Sequence, residues 1–179
     1  MGRPSAFKLD VVSIRMVKDV PIASEHPISK PEDAIHLVGQ TLCEMDREMV
    51  CVINLKKNGI PINCNFASVG ALDYAMLHPR ELLKSSILSN AAEIILVHNH
   101  PSGSLVPSKE DVAMTARMQK ITELMQIPLL DHIIVAGDNS RYFSFRDKGV
   151  VKNPKVYFET NYEYLDWNKS AIAERRDSR

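Results

Sequence analysis

At 179 residues, with 45% hydrophobic and 25% charged side chains, the chain is long enough for one hydrophobic core and too short for two full domains, and its composition is neither disordered nor fibrous. Twenty-two basic and twenty-two acidic residues cancel, which excludes a global positive field for gathering nucleic acid or an anionic membrane. No apolar run reaches the length of a membrane span, and residues 1–6 carry neither a secretory apolar stretch nor a hydroxyl at Ala6 for myristoylation, so a cytoplasmic address is expected.

Three units are expected in chain order: an arm over residues 1–27, one domain over 28–153, and a polar and aromatic tail over 154–179. In the arm, Val12, Ile14 and Met16 alternate with Ser13, Arg15 and Val17, the period of a single strand, ahead of a connector that ends at Pro27. Ser29-Lys30-Pro31-Glu32 has capping-box spacing with proline in the first turn, and Ala34, Leu37, Val38 and Leu42 follow at helical intervals, predicting a helix to about Met45. Residues 49–55 are rich in β-branched side chains, and Asn58-Gly59 is a hairpin signal that returns the chain antiparallel through residues 60–66.

A second helix opens at His78-Pro79-Arg80-Glu81 and runs to about Ser89. The apolar run Ile94-Ile95-Leu96-Val97 suits a strand buried on both faces. Pro107-Ser108-Lys109-Glu110-Asp111 starts a third helix, whose Met114, Met118, Ile121 and Met125 stack at three- and four-residue spacing as core packing until Pro128. Strands over 130–135 and 142–145 flank the turn Gly137-Asp138-Asn139. Cys43, Cys51 and Cys64 show no Cys-x-x-Cys spacing and fall inside predicted elements, as buried thiols of a reducing compartment do. Arg175, Arg176 and Arg179 read as a solvated tail.

The chemistry concentrates at the carboxyl end of the buried strand. Side chains two apart on a strand point the same way, so His98 and His100 present two imidazoles to one point. Pro101 stops the strand from pairing further and turns the chain away. Asp111 then falls in the first turn of the next helix, where the positive end of the helix dipole favours a carboxylate. Two imidazoles and one carboxylate make three ligands and leave one position for water, the pattern of catalytic zinc; ferrous iron and manganese use similar sets. Taken separately, His-x-His is ordinary strand histidine and Ser108 with Asp111 is a helix cap. The joint spacing is more specific.

His98-x-His100-Pro101, six residues, Ser108, two residues and Asp111 resembles the JAMM (MPN-type) metalloprotease motif at every fixed position. His98-Asn99-His100-Pro101-Ser102-Gly103, Pro107-Ser108, Leu130-Asp131-His132, Ser68-x-Gly70 and Pro79-Arg80-Glu81 resemble landmarks of its RadC branch over about residues 28–150. The resemblance implies a cytidine-deaminase-like α/β fold, a mixed sheet flanked by helices, and a catalytic domain over 28–153. It also implies one zinc ion per chain and a metallopeptidase or isopeptidase acting on a peptide or protein.

That family places a general-base glutamate at the start of an early strand, and the matching residue is Glu48. Glu93 lies five positions before His98 on the same strand and points to the opposite face, and Glu110 neighbours Asp111 on a helix without sharing its face. In the implied reaction, Glu48 moves the proton from water to the leaving amine, and Ser108 donates a hydrogen bond to the oxyanion. His132, between apolar residues, reads as a satisfied core group, with support of the metal ligands as the alternative. The RadC resemblance also carries a DNA-repair association. Members of the branch commonly have an N-terminal helix-hairpin-helix module, whereas the first 28 residues contain one glycine and no such hairpin; nucleic acid is therefore the secondary expectation for a partner.

Overall fold

The computed structural model describes residues 13, 15–19, 21–68 and 78–152. Eight elements follow one another: α1 (Pro31–Cys43), β1 (Met49–Leu55), β2 (Pro61–Ser68), α2 (Pro79–Leu88), β3 (Glu93–His100), α3 (Lys109–Leu124), β4 (Leu129–Ala136) and β5 (Tyr142–Ser144). Within the expected N-terminal strand, Val12 and Ile14 lie outside the described residues, and residues 15–19 have no regular secondary structure. Gly70 and the tail over 154–179 also lie outside them.

The start of α1 differs from the expected Ser29–Glu32 box. Lys30 is the N-cap and Pro31 the first helical residue, so the third helical position is Asp33. Its carboxylate accepts from Ser29 N at 2.8 Å, Ser29 Oγ at 3.0 Å and Lys30 N at 3.1 Å. Glu32, one residue earlier and on another face, instead accepts from the Tyr142 hydroxyl at 2.5 Å. At the β1–β2 turn, Gly59 has φ +77°, and a Cβ there would meet Ile28 O at 2.6 Å. Its own carbonyl accepts from Ile28 N at 2.9 Å, so glycine lets the entering chain lie directly on the turn.

The five strands form one sheet in the order β2-β1-β3-β4-β5. β1 is antiparallel to both β2 and β3, β3 runs parallel to β4, and β5 closes the sheet antiparallel to β4. The parallel pair requires a crossover, and α3 supplies it. Side-chain alternation then sorts the core into two halves. Ile95 and Val97 join Ala34, Val38 and Leu42 of α1 on one face. Ile94 and Leu96 join Leu82 and Leu83 of α2 and Met118 of α3 on the other.

Every residue of β3 is buried, as its apolar run implies, and the strand includes both histidines at its carboxyl end as expected, paired to β4 through His98↔Ile134 and His100↔Ala136. Most of the expected stripe of α3 is core, with Met118 fully buried and Met114 and Ile121 packed on the same cluster, but Met125 is the C-cap, beyond the last helical turn, and is 39% exposed. All three cysteines are free, but only Cys51 is buried. Cys43 ends α1 and Cys64 lies on the edge strand, which leaves both half-exposed. No helix among the described residues is long and apolar enough to cross a membrane.

Leu96 is fully buried at the centre of β3 whereas Leu124, ending α3, is 85% exposed. Denaturant unfolding is expected to show Leu96→Ala destabilised by about 3 kcal/mol, and Leu124→Ala changed by less than about 0.5 kcal/mol.

Candidate metal centre

The face of β3 that carries Ile94 and Leu96 also carries His98 and His100, now at the sheet's carboxyl edge beside the start of α3. The rings are 3% and 7% exposed as whole residues. After Pro101 the chain turns, with Gly103 N donating to His100 O at 3.0 Å and Gly103 at φ +79°. The turn carries the Ser104 carbonyl to 2.7 Å from His100 Nδ1. A carbonyl only accepts, so His100 Nδ1 bears the proton and the Nε2 of the neutral ring keeps its lone pair.

Asp111 is held by the expected cap. Ser108 Oγ accepts from Asp111 N at 3.0 Å, and both Ser108 Oγ and Ser108 N donate to Asp111 Oδ2 at 2.7 Å. This leaves Oδ1 facing His98 Nε2 at 3.3 Å and Oδ2 facing His100 Nε2 at 3.4 Å, while the two Nε2 atoms are 3.0 Å apart. Burial opposes charge on the Asp111 carboxyl, but the adjoining His100 and His98 rings and the hydrogen bond from Ser108 outweigh it and hold the group below the usual carboxylate range. Asp111 raises His100 above the ordinary histidine value against the opposing effect of burial, with the Ser104 carbonyl and the Glu48 charge acting in the same direction as Asp111.

These three side chains could hold a metal ion. Metal–ligand bonds of about 2.0–2.1 Å in a tetrahedral set place ligand atoms about 3.3 Å apart. The observed separations of 3.0, 3.3 and 3.4 Å fit that edge length. The donors suit a borderline cation, being two nitrogens and one carboxylate.

Glu48 lies one residue before β1 and is exposed. The antiparallel register pairs Val50 with His98. Carried two residues further, the same register would set Glu48 opposite His100, and the Glu48 charge does act on the His100 ring. Asn99, pointing to the other face, secures this segment: its Oδ1 accepts from Met49 N at 2.7 Å and its Nδ2 donates to Arg47 O at 3.0 Å. The clamp brackets Glu48. Nothing local in the sequence marks Asn99 for this role, because its partners are backbone atoms about fifty residues away.

The excluded carboxylates lie where strand and helix geometry put them. Glu93, at the far end of β3, binds Lys57 Nζ at 2.6 Å, and Glu110 is exposed on α3. His132 is the buried core residue expected, stacked on Phe145, and its Nε2 lies 2.7 Å from His98 Nδ1. Burial, seconded by His98, pushes its ring well below the ordinary histidine value, so it is neutral. Thr115, which binds both Asp111 O and His132 Nδ1, was missed. Its signal was a polar residue on the buried stripe of α3 one turn after Asp111.

Residues 28–150 match the RadC-like JAB domain family. The UPF0758 protein of Desulfitobacterium hafniense (strain DSM 10664 / DCB-2) is 40% identical over 124 residues, 69% of this chain and 54% of that protein. The UPF0758 protein of Desulforamulus reducens is 39% identical over 137 residues, 76% of this chain and 60% of that protein. The UPF0758 protein of Methanosarcina mazei is 38% identical over 125 residues, 70% of this chain and 54% of its own length. The chain spans little more than half the length of these curated relatives.

Asn99→Ala leaves the Met49 amide and Arg47 carbonyl without their partner. Unfolding experiments are expected to show a loss of about 1–3 kcal/mol, and hydrogen exchange to show a faster Met49 amide with the amides of central β3 unchanged.

Proposed function

The chain belongs to the RadC-like JAB domain family, and on that premise we propose that it is a zinc-dependent hydrolase of the JAMM type. The proposed activity is that of a metallopeptidase or isopeptidase, cutting an amide bond in a peptide or protein. His98, His100 and Asp111 would hold the metal. The observation that carries the reading is the convergence of two imidazole Nε2 atoms and one carboxylate at 3.0–3.4 Å on a family-matched motif. Three protein donors at tetrahedral spacing favour zinc over ferrous iron or manganese, which take more ligands.

Zinc in such a site supplies Lewis acidity, which polarises a carbonyl and makes water acidic enough to lose a proton near neutral pH. The remaining work falls to side chains. Glu48, at the head of β1 and toward the His100 end of β3, accepts the proton of the attacking water and delivers it to the leaving nitrogen. Ser108 has a second use for its hydroxyl. Its proton points at Asp111 Oδ2, but Ser108 N also donates to that oxygen; the hydroxyl can therefore turn to a developing oxyanion while the N–H keeps Asp111 in place. The free thiols support a reducing compartment, and we assign the protein to the cytoplasm.

Elemental analysis of purified protein is expected to find one zinc per chain, lost in His100→Ala. With an unbiased peptide library as substrate, Glu48→Gln should keep its zinc and lose hydrolysis by about 10²–10⁴-fold. Zinc-free wild-type protein that takes up none on addition would overturn the reading, and full hydrolysis by Glu48→Gln would remove Glu48 from it.

A further inference from the structure

The geometry points to His132 as the residue that sets which nitrogen of His98 faces the metal position, through a chain of hydrogen bonds that runs from the Asp111 carbonyl through Thr115 and His132 to His98. The inference rests on the metal reading above and adds a positioning residue to it.

The direction of the chain follows from its least adaptable member. The Asp111 carbonyl can only accept, and Thr115 Oγ1 donates its single proton to it at 2.7 Å. Toward His132 Nδ1, 2.6 Å away, that oxygen has only lone pairs left. His132 Nδ1 therefore carries a proton and donates.

The His132 ring has no carboxylate partner. It is fully buried and lies flat on Phe145, with centroids 4.7 Å apart and planes within 5°. The adjacent Asp131 carboxylate is occupied by Ser144 Oγ, Arg146 N and His132 N. With its one proton on Nδ1, the His132 ring has a bare Nε2, and at 2.7 Å this accepts from His98 Nδ1. His98 Nε2 is then bare as well and faces Asp111 Oδ1 at 3.3 Å. The other histidine reaches the same tautomer by a separate route, through Ser104 O. Reversing the order at His98 would require Thr115 to abandon Asp111 O. The chain thereby ties β3, β4 and the first turns of α3 into one arrangement that presents lone pairs only, as outer groups do when they orient metal-binding imidazoles.

The test uses zinc itself, titrated into chelator-stripped full-length protein against a chromophoric competitor. His132→Leu, which removes the acceptor, is expected to weaken zinc binding about 10–100-fold. His132→Gln, whose carbonyl oxygen can sit where Nε2 sat, should recover most of the loss. Nitrogen-15 NMR of the wild-type histidines should show His98 and His132 both protonated on Nδ1, a readout that stands even where the leucine variant does not fold. Unchanged affinity in His132→Leu, equal loss in both variants, or a proton on His132 Nε2 each overturn the inference while leaving the zinc site standing. Wild-type protein that binds no zinc overturns the metal reading, and this inference with it.

Discussion

Three electron-rich groups are held face to face in this protein, with His98 Nε2, His100 Nε2 and the Asp111 carboxylate separated by 3.0–3.4 Å. Such an arrangement is unfavourable unless a cation lies among them, and the chain maintains it by bonding each group from behind. Ser104 O fixes His100, the Ser108 cap fixes Asp111, and His132 stands behind His98. Much of the rest of the domain provides rigid places for those three supports.

β3 is the central provider. It pairs antiparallel with β1 and parallel with β4, and all its residues are buried. Its alternation divides labour along the motif: His98 and His100 face α3, while Asn99 reaches the opposite way to clamp the backbone on either side of Glu48. One strand thus positions both the metal donors and the approach of the proposed base. The parallel β3–β4 pair contributes equally, because the crossover it requires is α3, whose N-terminus delivers Asp111 where the helix dipole already favours negative charge.

Buried polar groups are costly unless fully satisfied, and the centre obeys this rule beyond its donor set. The hydroxyl of Thr115 and both ring nitrogens of His132 have partners. Asp131, next in sequence to His132, turns its carboxylate away to tie Ser144 and the Arg146 amide. These bonds join the short β5 region to β4 and keep Phe145 stacked under the His132 ring.

What could be determined from the amino-acid string was what depends on local periodicity. The two-residue spacing put His98 and His100 on one face, Pro101 ended the strand, and the Ser108–Asp111 spacing made a cap, since each follows from a few consecutive dihedral angles. The hairpin at Asn58-Gly59 and the buried run of β3 were legible for the same reason. The capping partner of α1 was not: a helix start displaced by one residue moved the role from Glu32 to Asp33. Tertiary structure alone decided what depends on register between distant segments. The β1–β3 pairing sets Val50 opposite His98 and so carries Glu48, two residues earlier, to the His100 end of the strand, and the β3–β4 pairing brings His132 behind His98 across a gap of thirty-four residues. Thr115 joins them only because α3 folds back over that pair. Pairing register is settled by burying both faces of the sheet at once, and that is a property of the assembled core rather than of any stretch of chain.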